Sequence, residues 1–257
     1  MRRKKQRLKL VPSESQQSHK PLEQEESRHK IKFSDLKQIY PLTYNQEQFF
    51  NLYRKGHNAF LLHGVAGTGK TYIAMYNALC EILQNNITYK KIIIVRSAVP
   101  SRDIGHLPGN EKEKTEVYVQ PYREIASELL PKYGEKAFTK LKEQNLMDFM
   151  VTSYVRGLTL DNSIVIVDEC QNMTDMELNS IMTRVGQNSK IIFCGDFRQT
   201  DLTKKHDCSG LQKFMGIIRH MPIFKLVEFE IEDIVRSSMV KEYIIARMHY
   251  EDILQMA

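Results

Sequence analysis

The sequence predicts an α/β fold, a mostly parallel sheet with helices on both faces, and three observations carry that prediction. Short apolar runs alternate along the chain with longer segments of helical spacing, the pattern of a sheet built from strand–helix–strand units. The clearest runs, Lys91-Ile92-Ile93-Ile94-Val95 and Ser163-Ile164-Val165-Ile166-Val167, are continuous and β-branched, as strands buried on both faces require. Polar and glycine-bearing motifs follow the carboxyl ends of these runs, where ligands of such sheets bind.

In chain order, the ordered body is expected to begin near Ile31-Lys32-Phe33. Leu42 to Gln46 leads into a helix over Glu47–Arg54, with Phe49, Phe50 and Tyr53 at helical spacing. Asn58–His63 is the first strand and Tyr72–Leu79 the helix that follows it, with Lys91–Val95 the second strand. A loop bearing Pro100, Gly105, Pro108 and Gly109 precedes helical segments over Val117–Leu130 and Glu135–Gln144. Asp148–Thr152 reads as a short strand, Ser163–Val167 as the next, and Asp175–Val185 as a helix. Lys190–Cys194 and Phe224–Val227 complete the strands, with helices over Leu211–Arg219 and Met239–Met248. Residues 31–257 read as a single domain behind a tail of residues 1–30.

Composition narrows the class. Of 257 residues, 42% are hydrophobic and 26% charged, the profile of a soluble globular protein. No apolar run approaches the ~20 residues of a membrane span. The basic start Arg2-Arg3-Lys4-Lys5-Gln6-Arg7 has no apolar region behind it, so it is not read as a secretory signal. Cys80, Cys170, Cys194 and Cys208 are scattered and form no C-x-x-C pair, which fits a reducing cytoplasm and speaks against zinc or a disulfide framework. The net charge is +6, but residues 1–30 hold nine Lys or Arg against four Glu, so about +5 of it belongs to the tail and the body is nearly neutral. The tail's Gln, Ser, Glu and Lys content reads as disorder, with plain solvation or salt-sensitive contact of Arg2–Lys9 with RNA or DNA as its two readings.

The chemistry concentrates in Gly64-Val65-Ala66-Gly67-Thr68-Gly69-Lys70-Thr71, a complete G-x-x-x-x-G-K-T phosphate loop between a strand and a helix. Its glycines let backbone N–H groups turn inward around a phosphate, and the helix adds the positive end of its dipole. Nucleotide contacts are expected from Gly64, Val65, Ala66, Gly67, Thr68, Gly69, Lys70, Thr71 and Tyr72, with Lys70 reaching the β- and γ-phosphates. Thr71 and Asp168, the latter at the end of the strand Ile164–Val167 and taken to neighbour the phosphate-loop strand, are the expected Mg²⁺ residues. Glu169 is the expected general base. In Gly195-Asp196-Phe197-Arg198-Gln199, Gln199 is placed to orient the attacking water or sense the γ-phosphate. Gln46, about one helix upstream of the loop, is a candidate for pairing with an adenine edge. Arg236 is the first candidate for an arginine finger, ahead of Arg156 and Arg96. The sequence contains no H-E-x-x-H, no G-x-S-x-G, no dinucleotide fingerprint and no Asn-Lys-x-Asp guanine motif.

These motifs, together with Val95-Arg96-Ser97-Ala98-Val99, Leu107-Pro108-Gly109, Arg156-Gly157-Leu158-Thr159-Leu160, Asp168-Glu169-Cys170-Gln171-Asn172 and Val235-Arg236, occur in the order of the PhoH-like ATPases. The chain resembles that family over roughly residues 40–245. The resemblance implies a RecA-like core related to superfamily-1 helicases, ATP hydrolysis and ring-shaped oligomers, of a kind found in bacteria and phages. Val65 stands where the family usually has proline and Cys170 where it has alanine. No stretch is left for the RNA-cleaving PIN domain of some members, so nuclease activity is not expected.

The reading is a cytoplasmic Mg²⁺-dependent ATPase, a homo-oligomer and by expectation a hexamer. A body with space for one lobe calls for a finger from a neighbouring subunit, with Arg236 in trans the natural guess and a cis finger the alternative. RNA or single-stranded DNA is the expected partner, with Arg96, Ser97 and Arg102 as candidate phosphate contacts, although the same loop suits a subunit interface. A P-loop small-molecule kinase and a nucleotide-binding assembly module with negligible turnover are the competing readings.

Overall fold

Each strand run alternates two sets of side chains, and the computed structural model sorts them onto two faces of one sheet. It describes residues 30–84, 88–97, 111–196 and 205–256. The expected tail of residues 1–30, Arg102 and Gln199 lie outside the described residues, apart from Lys30. In chain order the elements are α1 (Tyr44–Arg54), β1 (Ala59–Gly64), α2 (Lys70–Leu83), β2 (Lys91–Arg96), α3 (Glu111–Leu129), α4 (Ala137–Glu143), β3 (Met147–Val151), α5 (Thr152–Val155), β4 (Ser163–Asp168), α6 (Asp175–Met182), β5 (Lys190–Gly195), α7 (Lys205–Ile218), β6 (Phe224–Phe229) and α8 (Ser238–Met256).

The six strands form one sheet in the order β3-β2-β4-β5-β1-β6, and every neighbouring pair is parallel. Residues two apart share a face. Phe60 and Leu62, Ile92 and Ile94, Ile164 and Ile166, and Ile192 and Cys194 meet Phe49 and Tyr53 of α1, Ile73 and Leu79 of α2, and Tyr122 and Leu129 of α3. Leu61, Ile93, Val95, Val165, Val167, Ile191 and Phe193 meet Leu178 and Ile181 of α6 and Leu211, Phe214 and Ile218 of α7. Helices therefore cover both faces, as expected, and no described helix is long and apolar enough to cross a membrane.

Three details differ from the sequence reading. The strand carrying Asp168 does not neighbour β1, because β5 is inserted between β4 and β1. Helix α3 begins at Glu111 and runs through Pro121; the good helix formers Glu111 to Lys114 extend it, and the proline is tolerated at the loss of one backbone donor. The run after β3 turns into the short helix α5 at Thr152 instead of continuing as strand.

Register then fixes what meets at the carboxyl ends. Arg96 pairs with Asp168, His63 with Gly195, and Gly64 with Phe229. The opposite end is held by a buried cation: Lys190, 1% exposed, donates to Glu81 Oε2 at 2.7 Å and lies 3.7 Å from the centroid of the Tyr53 ring. Truncating the fully buried Phe193, whose ring centroid is 4.7 Å from that of Phe214, is expected to cost about 3–5 kcal/mol. Urea unfolding of Phe193→Ala checks this, and a midpoint matching wild type would contradict the packing described.

Candidate functional site

The phosphate loop takes its shape from three glycines at positive φ. Gly64 has φ +117° and ends β1 so close to β6 that a Cβ there would stand 2.0 Å from the Phe229 carbonyl oxygen. The Val65 N–H donates to that same carbonyl at 2.9 Å, so the loop leaves the sheet pinned to β6. Gly67 and Gly69 have φ +75° and +78°, and Gly69 is the N-cap of α2. Inside the loop, the Thr68 hydroxyl donates to the Val65 carbonyl at 3.0 Å. Lys70 Nζ donates to the Gly64 and Val65 carbonyls at 3.0 and 2.7 Å and to the Thr68 hydroxyl at 3.2 Å. Its ammonium therefore lies against the loop. Burial lowers its pKa, and the charges of Asp196, Glu169 and Asp168 oppose that shift.

Asp168 joins three elements. Thr71 of α2 donates to its Oδ1 at 2.6 Å, and the buried Tyr122 of α3 donates to its Oδ2 at 2.8 Å. Arg96 of β2 faces the same cluster: its guanidinium pKa is raised by Tyr122, Asp168 and Glu169 against the cost of burial, and it lies 5.6 Å from the Tyr118 ring centroid. Glu169 has φ +51°, and among the described residues it is the one positive-φ residue that is neither Gly nor Asn. That conformation costs on the order of 1 kcal/mol, a strain typical of functional sites. Burial, then the adjacent Asp168 charge, raise the Glu169 pKa, while Arg96 pulls it down. Gln171 Nε2 donates to Glu169 Oε2, and Gln171 Oε1 accepts from the Asp196 N–H at 3.1 Å, which ties the carboxylate to the end of β5.

The wall opposite is built by α1 and the turn after β6. Gln46, 3% exposed, donates to the Thr68 carbonyl at 3.0 Å and accepts from the Leu42 N–H at 2.9 Å. Each end of its amide makes one bond, which fixes its orientation and leaves one N–H and one lone pair for a further partner. Asp233 accepts from Asn45 Nδ2 at 2.7 Å and from the Glu230 N–H at 2.8 Å, holding the turn Ile231–Asp233 to the start of α1. The chain leaving that turn crosses the phosphate loop. The Val235 N–H donates to the Gly67 carbonyl at 3.1 Å, and Arg236 Cγ lies 3.0 Å from where a Gly67 Cβ would stand. Arg236 thus sits on the loop of its own chain.

These groups surround one cavity of about 870 Å³, lined by Ala66 to Ile73, Gln46, Arg96, Asp168, Glu169, Gln171, Asp196 and Arg236. Its far end is bounded by Lys37 to Tyr40, Leu42 and Glu128, which accepts from the Tyr72 hydroxyl at 3.0 Å. That volume suits a nucleotide-sized ligand. The remaining candidates lie elsewhere. Ser97 is 6% exposed and donates to Glu177 Oε1 at 3.0 Å, so its hydroxyl secures α6 in this arrangement. Arg156 is exposed and contacts Met176. Sequence reasoning did not single out Tyr122 or Gln171 as site residues. Gln171 stood inside the Asp168-to-Asn172 motif, whereas nothing in the pattern distinguished Tyr122 from a core aromatic.

A family model described as PhoH-like protein matches residues 38–248. A PhoH-like protein of Bacillus subtilis (strain 168) is 36% identical over 182 residues, covering 70% of this chain and 55% of that protein. A PhoH-like protein of Mycobacterium leprae (strain TN) is 32% identical over 217 residues, covering 84% of this chain and 60% of that protein. The chain thus spans between half and two thirds of the length of these relatives. Among solved structures, the large terminase of a thermophilic bacteriophage in complex with ADP aligns at 11% identity and TM-score 0.44, over 79% of this chain and 49% of that one.

Adding one methyl group at Gly64 tests the loop geometry. Gly64→Ala places Cβ against the Phe229 backbone at a positive φ, a strain of about 1–3 kcal/mol before any clash. The variant is expected to melt at lower temperature and lose affinity for a fluorescent ATP analogue; unchanged melting and binding would contradict the close approach.

Proposed function

The chain belongs to the PhoH-like family, and on that premise we propose that it binds ATP with Mg²⁺ at the phosphate loop and hydrolyses it. The observation that carries this reading is the convergence on one cavity of the loop, Lys70, the Thr71–Asp168 pair, Glu169 and Arg236. A RecA-like P-loop core supplies the scaffold. The oxygen donors suit a hard cation: a threonine hydroxyl and a carboxylate already share a hydrogen bond, and Mg²⁺ usually keeps several waters beside one or two protein ligands. Among the described residues no group of three or more His, Cys, Asp or Glu offers a more closed metal site. When bound, Mg²⁺ supplies charge neutralisation to the β- and γ-phosphate oxygens.

The protein groups divide the remaining work. Loop N–H groups and Lys70 bind the phosphates, for which Lys70 must exchange its bonds to the loop carbonyls. Glu169, with its raised pKa and its hold from Gln171, is the base that accepts the proton of the attacking water. Gln199 keeps its proposed role beside that water. Arg236 stabilises charge on the γ-phosphoryl in cis, a reading supported by its position over Gly67 of its own chain. A homo-oligomer, hexameric by resemblance, belongs to the same proposal, and the exposed Tyr40 and Leu42 at the cavity rim support its being covered by a second copy. Coupling to RNA or single-stranded DNA rests on the basic residues 2–9 and on Arg102.

Glu169→Gln separates hydrolysis from binding. It is expected to keep affinity for ATP and to lose about 10²–10⁴-fold in turnover; turnover at the wild-type rate would remove Glu169 as base, and the reading of the site with it. Mixing inactive Arg236→Ala with inactive Lys70→Ala chains tests the finger. A cis arginine predicts no recovery of activity, whereas recovery would place the finger in trans. Low-salt titration with single-stranded RNA is expected to raise ATP turnover, and indifference of both binding and turnover would end the nucleic-acid proposal.

A further inference from the structure

We infer that Tyr122 is a positioning residue for Mg²⁺–nucleotide binding, its hydroxyl fixing the orientation in which Asp168 faces Thr71; this rests on the hydrolase reading above. A carboxylate at the end of a strand can rotate about its terminal bond, and only one orientation presents a given oxygen to the neighbouring helix. Here the two oxygens have separate partners: Oδ1 accepts from Thr71 at 2.6 Å and Oδ2 from Tyr122 at 2.8 Å. Tyr122 is fully buried and its ring lies 5.6 Å from that of Phe149, so the hydroxyl has little freedom to leave. Arg96, in register with Asp168 across the β2–β4 pair, faces the same phenol.

The arrangement has a functional consequence. Metal-binding carboxylates depend on the partners of their second oxygen, and removing such a partner weakens metal affinity. With Oδ2 occupied by the phenol, Oδ1 stays directed at Thr71 and toward the cavity. Without the hydroxyl, Oδ2 loses that donor beside the Arg96 guanidinium, and the carboxylate gains a reason to turn away from Thr71. The same contact links Asp168 to α3, so the position of that helix enters the setting of the cation site.

The test is Tyr122→Phe, which removes one oxygen atom and keeps the ring. Binding of a fluorescent ATP analogue is measured in excess EDTA and across a MgCl₂ titration, alongside thermal melting and ATP turnover. Wild type is expected to bind the analogue more tightly with Mg²⁺. Tyr122→Phe is expected to match wild type in EDTA and to need about 10–100-fold more Mg²⁺ for the same tightening and for half-maximal turnover. Replacing Tyr122 by p-aminophenylalanine, whose amino N–H stands where the phenolic O–H does, is expected to recover part of the Mg²⁺ response. A Tyr122→Phe titration that overlays wild type overturns the inference, as does an equal loss of binding in EDTA and in Mg²⁺. If neither variant folds, the residue's part is structural and the inference also falls. Wild type that ignores Mg²⁺ altogether in binding and turnover refutes the Mg²⁺-dependent reading of the site, and wild type that binds ATP without turnover refutes the hydrolase reading itself.

Discussion

The rest of the site depends on one hydrogen bond, from the Thr71 hydroxyl to Asp168 Oδ1. It joins the helix that follows β1 to the end of β4, two strands held apart by β5. The insertion matters because it leaves the exit of β5, at Gly195 and Asp196, between the phosphate loop and the carboxylates. A side chain at Gly195 would meet Cys170 and Gln171 there, so the backbone of β5 approaches the carboxylate turn as closely as glycine allows. Gln171 uses that proximity to tie Glu169 to the Asp196 N–H.

A second constraint acts from the other edge. Gly64 meets the backbone of Phe229, and the turn after β6 then returns over the loop, bringing Arg236 above Gly67. Asn45 and Gln46 of α1 hold these two pieces, one through Asp233 and the other through Thr68. A single chain therefore gathers phosphate loop, carboxylates and arginine. One lobe suggested an arginine from a neighbour, and the turn after β6 places Arg236 of the same chain beside the loop.

How much of this was legible in the sequence follows from range. All six strands and most helices were visible, because hydrophobic period is a local property of the chain. The loop and Asp168-Glu169 were visible because their chemistry is written in consecutive residues. Strand order was not: nothing in the run Lys190–Cys194 says that it lies between β1 and β4. Tyr122 was hidden for a related reason. Its neighbours Pro121 and Ile125 read as an ordinary amphipathic helix, and its partner lies 46 residues away. Ser97 was singled out as a loop hydroxyl suited to a phosphate, while its bond to Glu177 of α6, a long-range contact, was not legible.

The most direct measurement is phosphate release from ATP by the wild-type chain in Mg²⁺ and in EDTA, compared with Asp168→Asn in Mg²⁺. The account predicts release that requires Mg²⁺ and is lost in Asp168→Asn, with nucleotide still bound in EDTA. Stoichiometric ATP binding in Mg²⁺ with no phosphate released would contradict it and would make the chain a nucleotide-binding module.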